Sequence, residues 1–489
     1  MRKAFAALIA ATTLSLQLAF PASAATIQGS IVDFSPTSLI KKDGSYWAWS
    51  GKLAVPTQIH GLTDVKAAYP EQLVVKQDDT VWHWQRDNVT GQVSIEQIPG
   101  AVGLNAVLRY WGDEALLVDT SGTVFAVPVS RNELVPSKTR KLEGIANVAR
   151  IAAYEEVTPD SRRQSALLFL KKDGSVVRST PELARFSPVP GWSEMLDIER
   201  NAGLKRDGTV WKLPEEVAEL GRVDAKAKQV QGLSNIAKIN GNAAIDQDGR
   251  LWFWGKAVIG YSDAAAYYEQ PPIMFSTVPH AREAYVVDHS LVALTDDGKL
   301  YEFSLEGFKL APNAKFNLLA TGVEEVEASR HLIFRLKDGS LWGWGFNKNA
   351  ELGYGDYEFS HELPVPVQKP IAVILNGESV ALTNGVVTRA SQAFVPLRSV
   401  FEKLGAKLAW NDAAKLVTLT GSDSDKPLQI TINYRTGVTQ LNGETVTLQT
   451  PPFSVSGTSY LPLRFISEQL GAQVDWNQAA EKIDIRFKY

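Results

Sequence analysis

The amino-acid sequence predicts a mainly β protein: a seven- or eight-bladed β-propeller followed by a small α+β domain made of two tandem copies. Three observations carry that expectation. A hairpin signature recurs through the larger N-terminal part of the 489 residues at a mean spacing of about 42, within the range of roughly 40 to 50 typical of propeller blades. An ungapped duplication with an offset of 66 residues fills the remainder. The composition, 45% hydrophobic and 21% charged, is that of a chain able to bury a core rather than of a disordered one.

The elements follow in chain order. Arg2 and Lys3, an apolar stretch from Ala4 to Phe20 and the small residues Ala22-Ser23-Ala24 read as a signal peptide over 1–24, with the mature chain beginning at or near Ala25. No later stretch is long and apolar enough to span a bilayer. The expectation is an exported protein, secreted or envelope-associated, with no membrane span after cleavage. A net charge of −4 supplies no basic field for nucleic acid, so no nucleic-acid partner is expected. The absence of cysteine excludes disulfides, thiolate metal sites and cysteine nucleophiles.

The repeated unit occupies 25–368. "KKDGSYWAWSG" (41–51) has an Asp-Gly pair between an apolar strand and an aromatic one, and its second turn residue recurs as Asp79, Gly122, Gly174, Gly208, Gly249, Gly298 and Gly339. A two-residue Asp-Gly turn would place Ile40 opposite Trp47 and Ser38 opposite Trp49. One hairpin cannot bury its own apolar face, so the units must pack on one another, and a ring leaves few exposed sheet edges. Few residues precede the strand at Ile31 to Phe34, and "LPVPVQ" (363–368) offers an extra strand, so the ring is expected to close by strand exchange between its ends. The last unit, "LKDGSLWGWGFNKNAELGYGD" (336–356), carries Asp338-Gly339, Trp344-Gly345, Asn347, Leu352-Gly353 and Gly355. It resembles the regulator-of-chromosome-condensation repeat. Ala350-Glu351 stands where that family has Gly-Gln, and the other units keep the hairpin but lose most of the glycine loop.

The second part spans 369–489, with copies at 371–420 and 437–486. "LNGESVAL" (375–382) returns as "LNGETVTL" (441–448), and "FVPLRSVFEKLGAKLAWNDAAKLVTLT" returns as "YLPLRFISEQLGAQVDWNQAAEKIDIR". Each copy reads as a strand, an Asn-Gly turn, a strand, a helix ending at Gly405 or Gly471, and two more strands. Trp410 and Trp476 are expected to cover the helices. Asn376-Gly377, Asn442-Gly443, the Pro-Leu-Arg triplets ending at Arg398 and Arg464, and the two tryptophans resemble the copper amine oxidase N-terminal-like (stalk) domain. In the oxidases that domain is accessory, so the resemblance implies placement and contact rather than chemistry. Asn433-Tyr434 is similar to the oxidases' self-processed tyrosine site. Ile430 and Arg435 depart from that pattern, and no histidine follows His361, so Tyr434 reads as a structural residue.

No catalytic constellation emerges. The six histidines are scattered without metal-ligand spacing, so no metal and no cofactor are expected. Asp113, Glu155, Glu156 and Asp263 are the loop carboxylates that a polysaccharide-cleaving enzyme could pair. Two loops exceed the rest: 152–165, with Arg162 and Arg163, and 255–281, with Tyr261, Tyr267 and Tyr268. Long loops on a rigid scaffold are common contact sites, and tyrosines suit sugars or protein surfaces. These five residues are the candidate binding residues. The expected function is that of an exported, non-catalytic interaction protein contacting a cell-envelope polysaccharide or surface protein. The alternative is a carbohydrate-active enzyme.

Overall fold

The computed structural model describes residues 30–87, 90–110, 113–180, 182–217, 226–259, 266–306, 310–421 and 428–487. Residues 1–24, read from the sequence as a signal peptide, and Tyr261 and Asp263 lie outside them. Among the described residues, eight antiparallel sheets follow one another along the chain, at 31–58, 65–102, 106–141, 148–188, 195–229, 236–275, 281–320 and 323–366. These are blades 1 to 8 of a propeller. In each, strands pair in chain order, so every blade is one uninterrupted stretch. In blade 3 two short strands, Glu133–Leu134 and Arg140–Lys141, share the fourth position.

Strand exchange is therefore not how the ring closes. Leu53–Gln58 supplies blade 1 with its own fourth strand, and Ser360–Pro366 is the fourth strand of blade 8, so neither end has a vacant position. Closure comes from side-chain packing. Phe34, Leu39, Trp47 and Trp49 of blade 1 meet Ile333, Leu341 and Leu352 of blade 8 in one buried cluster. Trp49 Nε1 donates to the Glu351 carbonyl at 2.7 Å, Gly51 N to the Asn349 carbonyl at 2.8 Å, and His331 Nε2 to the Pro36 carbonyl at 2.8 Å.

Each of the eight blade junctions holds one such apolar cluster. The second strands explain why. Successive strand residues point to opposite faces, so an unbroken apolar run serves two junctions. In Glu114–Val118, Ala115 and Leu117 face blade 2 while Leu116 and Val118 face blade 4. In Ser290–Thr295, Leu291 and Ala293 face blade 6 while Val292 and Leu294 face blade 8. Each fully buried Leu or Val contributes about 1.5–3 kcal/mol relative to exposure.

The repeated turn is one residue longer than the Asp-Gly pair suggests. Leu39 pairs with Trp47 and Ile40 with Tyr46, which shifts the expected register by one. Lys41 N donates to the Ser45 carbonyl and Gly44 N to the Lys41 carbonyl, enclosing residues 42–44. Gly44 is left-handed at φ 73 and Asp43 is not. The cause is the Asp43 carboxylate, which accepts from Ser45 N at 3.0 Å and Ser45 Oγ at 2.5 Å and so fixes a type I turn followed by a left-handed glycine. Ser45 Oγ in turn accepts from Trp47 Nε1 at 3.0 Å. The same relay runs Asp78–Thr80–Trp82, Asp207–Thr209–Trp211 and Asp338–Ser340–Trp342. It gives the indole N–H an acceptor and ties the turn to the strand after it.

The turn glycine also joins blades. The Gly44 carbonyl accepts from Val65 N at 3.0 Å in blade 2, and Gly122, Gly174, Gly208, Gly249 and Gly298 accept from Val148, Met195, Ile236, Ala281 and Val323 of the next blade. A Cβ on Gly44 would lie 2.9 Å from Asp64 Cα, and one on Gly208 would lie 3.0 Å from Asn235 Cα.

The C-terminal part has its own core, drawn entirely from 371–485. Two helices, α1 (Leu397–Phe401) and α2 (Leu463–Gln469), pack on three sheets. Asn376-Gly377 and Asn442-Gly443 both have positive φ and do form two-residue turns, as Leu375 pairs with Glu378 and Leu441 with Glu444. The copies interlock. Val395 pairs with Leu461, its own counterpart at the 66-residue offset, so a local two-fold axis passes between Gln392–Pro396 and Thr458–Pro462. Trp410 and Trp476 do not cover the helices: they are 47% and 42% exposed. Leu404, Leu470 and neighbouring strand residues already fill that space, and Trp410 instead packs on Tyr434, 5.9 Å between rings. Burial pushes the Tyr434 phenol up to about 12.

This domain sits on the ring's seam. Phe394, Tyr460, Val387 and Val455 share a buried cluster with Ala54 and Val55 of blade 1 and Ala350 of blade 8. Ala54 N donates to Asn384 Oδ1 at 3.1 Å, and the buried Lys41 ammonium lies 3.0 Å from Glu481 Oε2. The glycine loop of blade 8 belongs to the same junction. Asn347 Nδ2 donates to Asp356 Oδ1 and its Oδ1 accepts from Leu352 N, which holds the loop shut. Gly353 lies against Trp49 and Gly355 against Val55. The most complete repeat is thus the one that closes the ring.

Candidate interaction surface

The turns between second and third strands lie on one face, since those of blades 1 and 3 to 7 dock on the start of the next blade's first strand. Connections between first and second strands, and between third and fourth, therefore open on the opposite face. Both long loops singled out by the sequence emerge there, as extensions of sheets. In blade 4, Val148–Val157 and Arg163–Lys171 continue as a hairpin to the pair Val157 and Arg163. In blade 6, Leu251–Ile259 and Ala266–Phe275 pair as far as Ile259 and Ala266, with Tyr267 opposite Val258 and Tyr268 opposite Ala257.

The blade 4 hairpin is stiffened from below. Glu156, fully buried, is ion-paired with the buried Arg178 and accepts from Tyr154 Oη at 3.0 Å and Gln164 Nε2 at 3.1 Å. Burial, with the Glu156 charge beside it, pushes the Tyr154 phenol up. Arg162 and Arg163 are exposed at the tip and held within the hairpin, Arg162 Nε on Asp160 at 2.8 Å and Arg163 on Glu155 at 3.0 Å. Glu155 and Glu156 are therefore engaged with arginines, whereas Asp113 stands exposed just before Glu114–Val118.

A third segment, which sequence reasoning missed, joins the two hairpins. Val157 bridges Glu216 of blade 5, with Val157 N donating to the Glu215 carbonyl and Val217 N to the Val157 carbonyl. Glu215 is ion-paired with Lys256 of the blade 6 hairpin, and Lys212 lies 3.7 Å from Glu269 on its other strand. Blades 4, 5 and 6 thus present one continuous crown. The "PEE" run at 214–216 was the available signal, two carboxylates in an over-long connection. Nothing local says that it meets Val157.

First strands of neighbouring blades lie against one another at the junctions of blades 1 and 2, 3 and 4, 4 and 5, 5 and 6, and 6 and 7. They bring Asp33, Glu283, Glu325 and Glu327 into electrostatic range. Burial, with the charges of Glu325, Asp33 and Glu283, pushes the Glu327 carboxyl up to about 7. Arg335 is paired with Glu325, and Tyr285 Oη donates to Glu283 Oε2 at 2.8 Å.

Fold and surface together define an eight-bladed propeller carrying a docked α+β domain. Residues 374–485 match the family model described as the copper amine oxidase N-terminal domain. Among solved structures the chain is similar to yeast RCC1 (Prp20) in a complex with Kap60, at 15% identity over 74% of this chain and 91% of that one, with a TM-score of 0.41. It is similar to human WBSCR16 at 17% identity, 65% and 85% coverage and a TM-score of 0.36. A computationally designed protein, Ika8, gives 16% identity, 64% and 94% coverage and a TM-score of 0.37. No curated protein sequence matches the chain.

Proposed function

We propose that this is an exported, non-catalytic interaction protein of the cell surface or extracellular space. The propeller is the ligand-binding scaffold, and the C-terminal domain places it or contacts the envelope. One observation carries the reading: the crown of blades 4 to 6 lies across the ring from the seam where the C-terminal domain docks. Attachment through that domain leaves the crown free, and the buried junction holds the two ends in a fixed relation. The engagement of Glu155 and Glu156 with arginines weighs against the carbohydrate-active alternative at this surface.

The test is retention of the mature chain by cell-envelope fractions. Wild type should be retained, while Arg162→Ala/Arg163→Ala and Tyr267→Ala/Tyr268→Ala lose most retention without a change in melting temperature. A central aromatic anchor contributes about 2 kcal/mol or more when it acts as a hot spot. Undiminished retention in both variants would remove the crown from the binding surface, and turnover of a polysaccharide by the pure protein would overturn the non-catalytic reading. N-terminal sequencing of exported material should begin at or near Ala25.

A further inference from the structure

Between blades 2 and 3 lies a half-open pocket of about 400 Å³ on the same face as the crown, in the lower part of the range found for small-molecule sites. Its lining includes His83 and Gln85 from Thr80–Arg86, Glu96 from Val93–Val102, and Ser130, Arg131 and Glu133 from the outer end of blade 3. His83 is 3% exposed and lies between Leu73 and Glu96 of the adjoining strands. Among the described residues, its ring nitrogens have no hydrogen-bond partner in the protein, whereas Gln85 is half-buried and Glu96, Ser130, Arg131 and Glu133 are exposed to solvent at the pocket mouth. Buried polar groups are normally satisfied. A buried imidazole without a protein partner, at the floor of a pocket whose mouth carries exposed donors and acceptors, points to a ligand that bonds to both.

The donor set selects its chemistry. Glu96 and Glu133 only accept, Arg131 only donates, and Gln85 and Ser130 do both. Burial holds the His83 pKa down to about 4, so at neutral pH the ring is uncharged and offers one donor and one acceptor. Vicinal hydroxyls, each able to donate and accept, complement such an interleaved set. Leu134 and Pro136, both buried, close the apolar side of the pocket.

We propose that this cavity is a saccharide-binding subsite that takes a short, uncharged oligosaccharide segment, with His83 at its floor and Arg131 and Glu133 at its rim. The proposal rests on the reading of the protein as a binding module and adds a site separate from the crown. The probes are the trisaccharides of β-1,4-linked glucose and of N-acetylglucosamine, titrated calorimetrically into the mature full-length chain. At least one should bind, and Arg131→Ala with Glu133→Gln, both exposed residues, should weaken it at least tenfold with unchanged melting temperature. His83→Gln should also weaken it, and if that variant fails to fold the rim variants still decide. Absence of binding by both sugars, or unchanged affinity in the rim double variant, would each overturn the assignment. Envelope retention that survives the rim variants but is lost in the crown variants would separate this site from the proposed function.

Discussion

Gly208 carries two constraints that the sequence shows only as a turn. Its φ of 78° disfavours any side chain, and a Cβ would press on Asn235 across the blade junction. Gly51, at φ 68, has nothing within 4 Å. Gly51→Ala should cost roughly 1–2 kcal/mol, the penalty of a left-handed residue. Gly208→Ala should add an overpacking cost of about 1–3 kcal/mol. Denaturant titration of both checks this, and equal losses would mean that the close approach contributes nothing. The turn aspartates make a second prediction. Side-chain and backbone bonds from Thr209, Ser175 and Thr80 hold Asp207, Asp173 and Asp78 below the usual carboxylate range. Their contribution is complete above the unfolded pKa and is lost as pH falls through the folded one. Melting temperature should therefore drop from about pH 4 downward, less steeply in Asp207→Asn. Glu327 has the opposite sign. Its raised pKa means that the native state binds the extra proton, so stability declines as pH rises from about 4.5 to about 7. Glu327→Gln should flatten that decline, and an unchanged profile would refute it.

At the scale of elements, legibility followed the range of the interactions. The hairpins were readable because a left-handed glycine, a carboxylate and an indole two positions beyond the hydroxyl all lie within a few residues. The register slipped by one because the Asp43–Ser45 bonds, which choose the three-residue loop, leave no mark on composition. The crown was half readable: Arg162 and Arg163 announced one hairpin, but the bridge from Val157 to Glu216 joins segments that no local pattern relates. Trp410 misled for a related reason. A tryptophan after an amphipathic helix suggests a lid, yet Leu404 and Leu470, just past the helices, already lie in the core, and both helices pack on Gln392–Pro396 and Thr458–Pro462. Stability separates the two kinds of tryptophan. Trp47 is 2% exposed in the seam cluster, and Trp47→Ala should cost about 3–5 kcal/mol. Trp410→Ala, at 47% exposure, should stay within about 1 kcal/mol. Similar losses at both sites would contradict this division.

For the whole molecule, the decisive contacts join residues hundreds of positions apart: Trp49 with Glu351, Ala54 with Asn384, Lys41 with Glu481. None was foreseeable from sequence. Lys41 and Glu481 are the sharpest probe of the junction. Glu481→Ala leaves the buried ammonium only the Pro370 and Ala480 carbonyls, each at 3.4 Å, and should cost about 3–5 kcal/mol, the usual penalty for breaking a buried pair. Lys41→Met combined with Glu481→Leu should recover most of it, because an apolar pair needs no desolvation. Failure of the double variant to recover would place the cost in packing rather than charge. The uninterrupted blades have a kinetic consequence as well. A chain emerging from its N-terminus can finish each blade as soon as its fourth strand arrives, because no sheet awaits a strand from the far end. Short-range pairing of this kind keeps loop-closure entropy low and folding fast. The one step that must wait is the meeting of Trp47 and Trp49 with Leu352, followed by the arrival of Phe394 and Tyr460. Until then blade 1 presents an open apolar flank, and it is that flank, during synthesis, that a chaperone would have to shield.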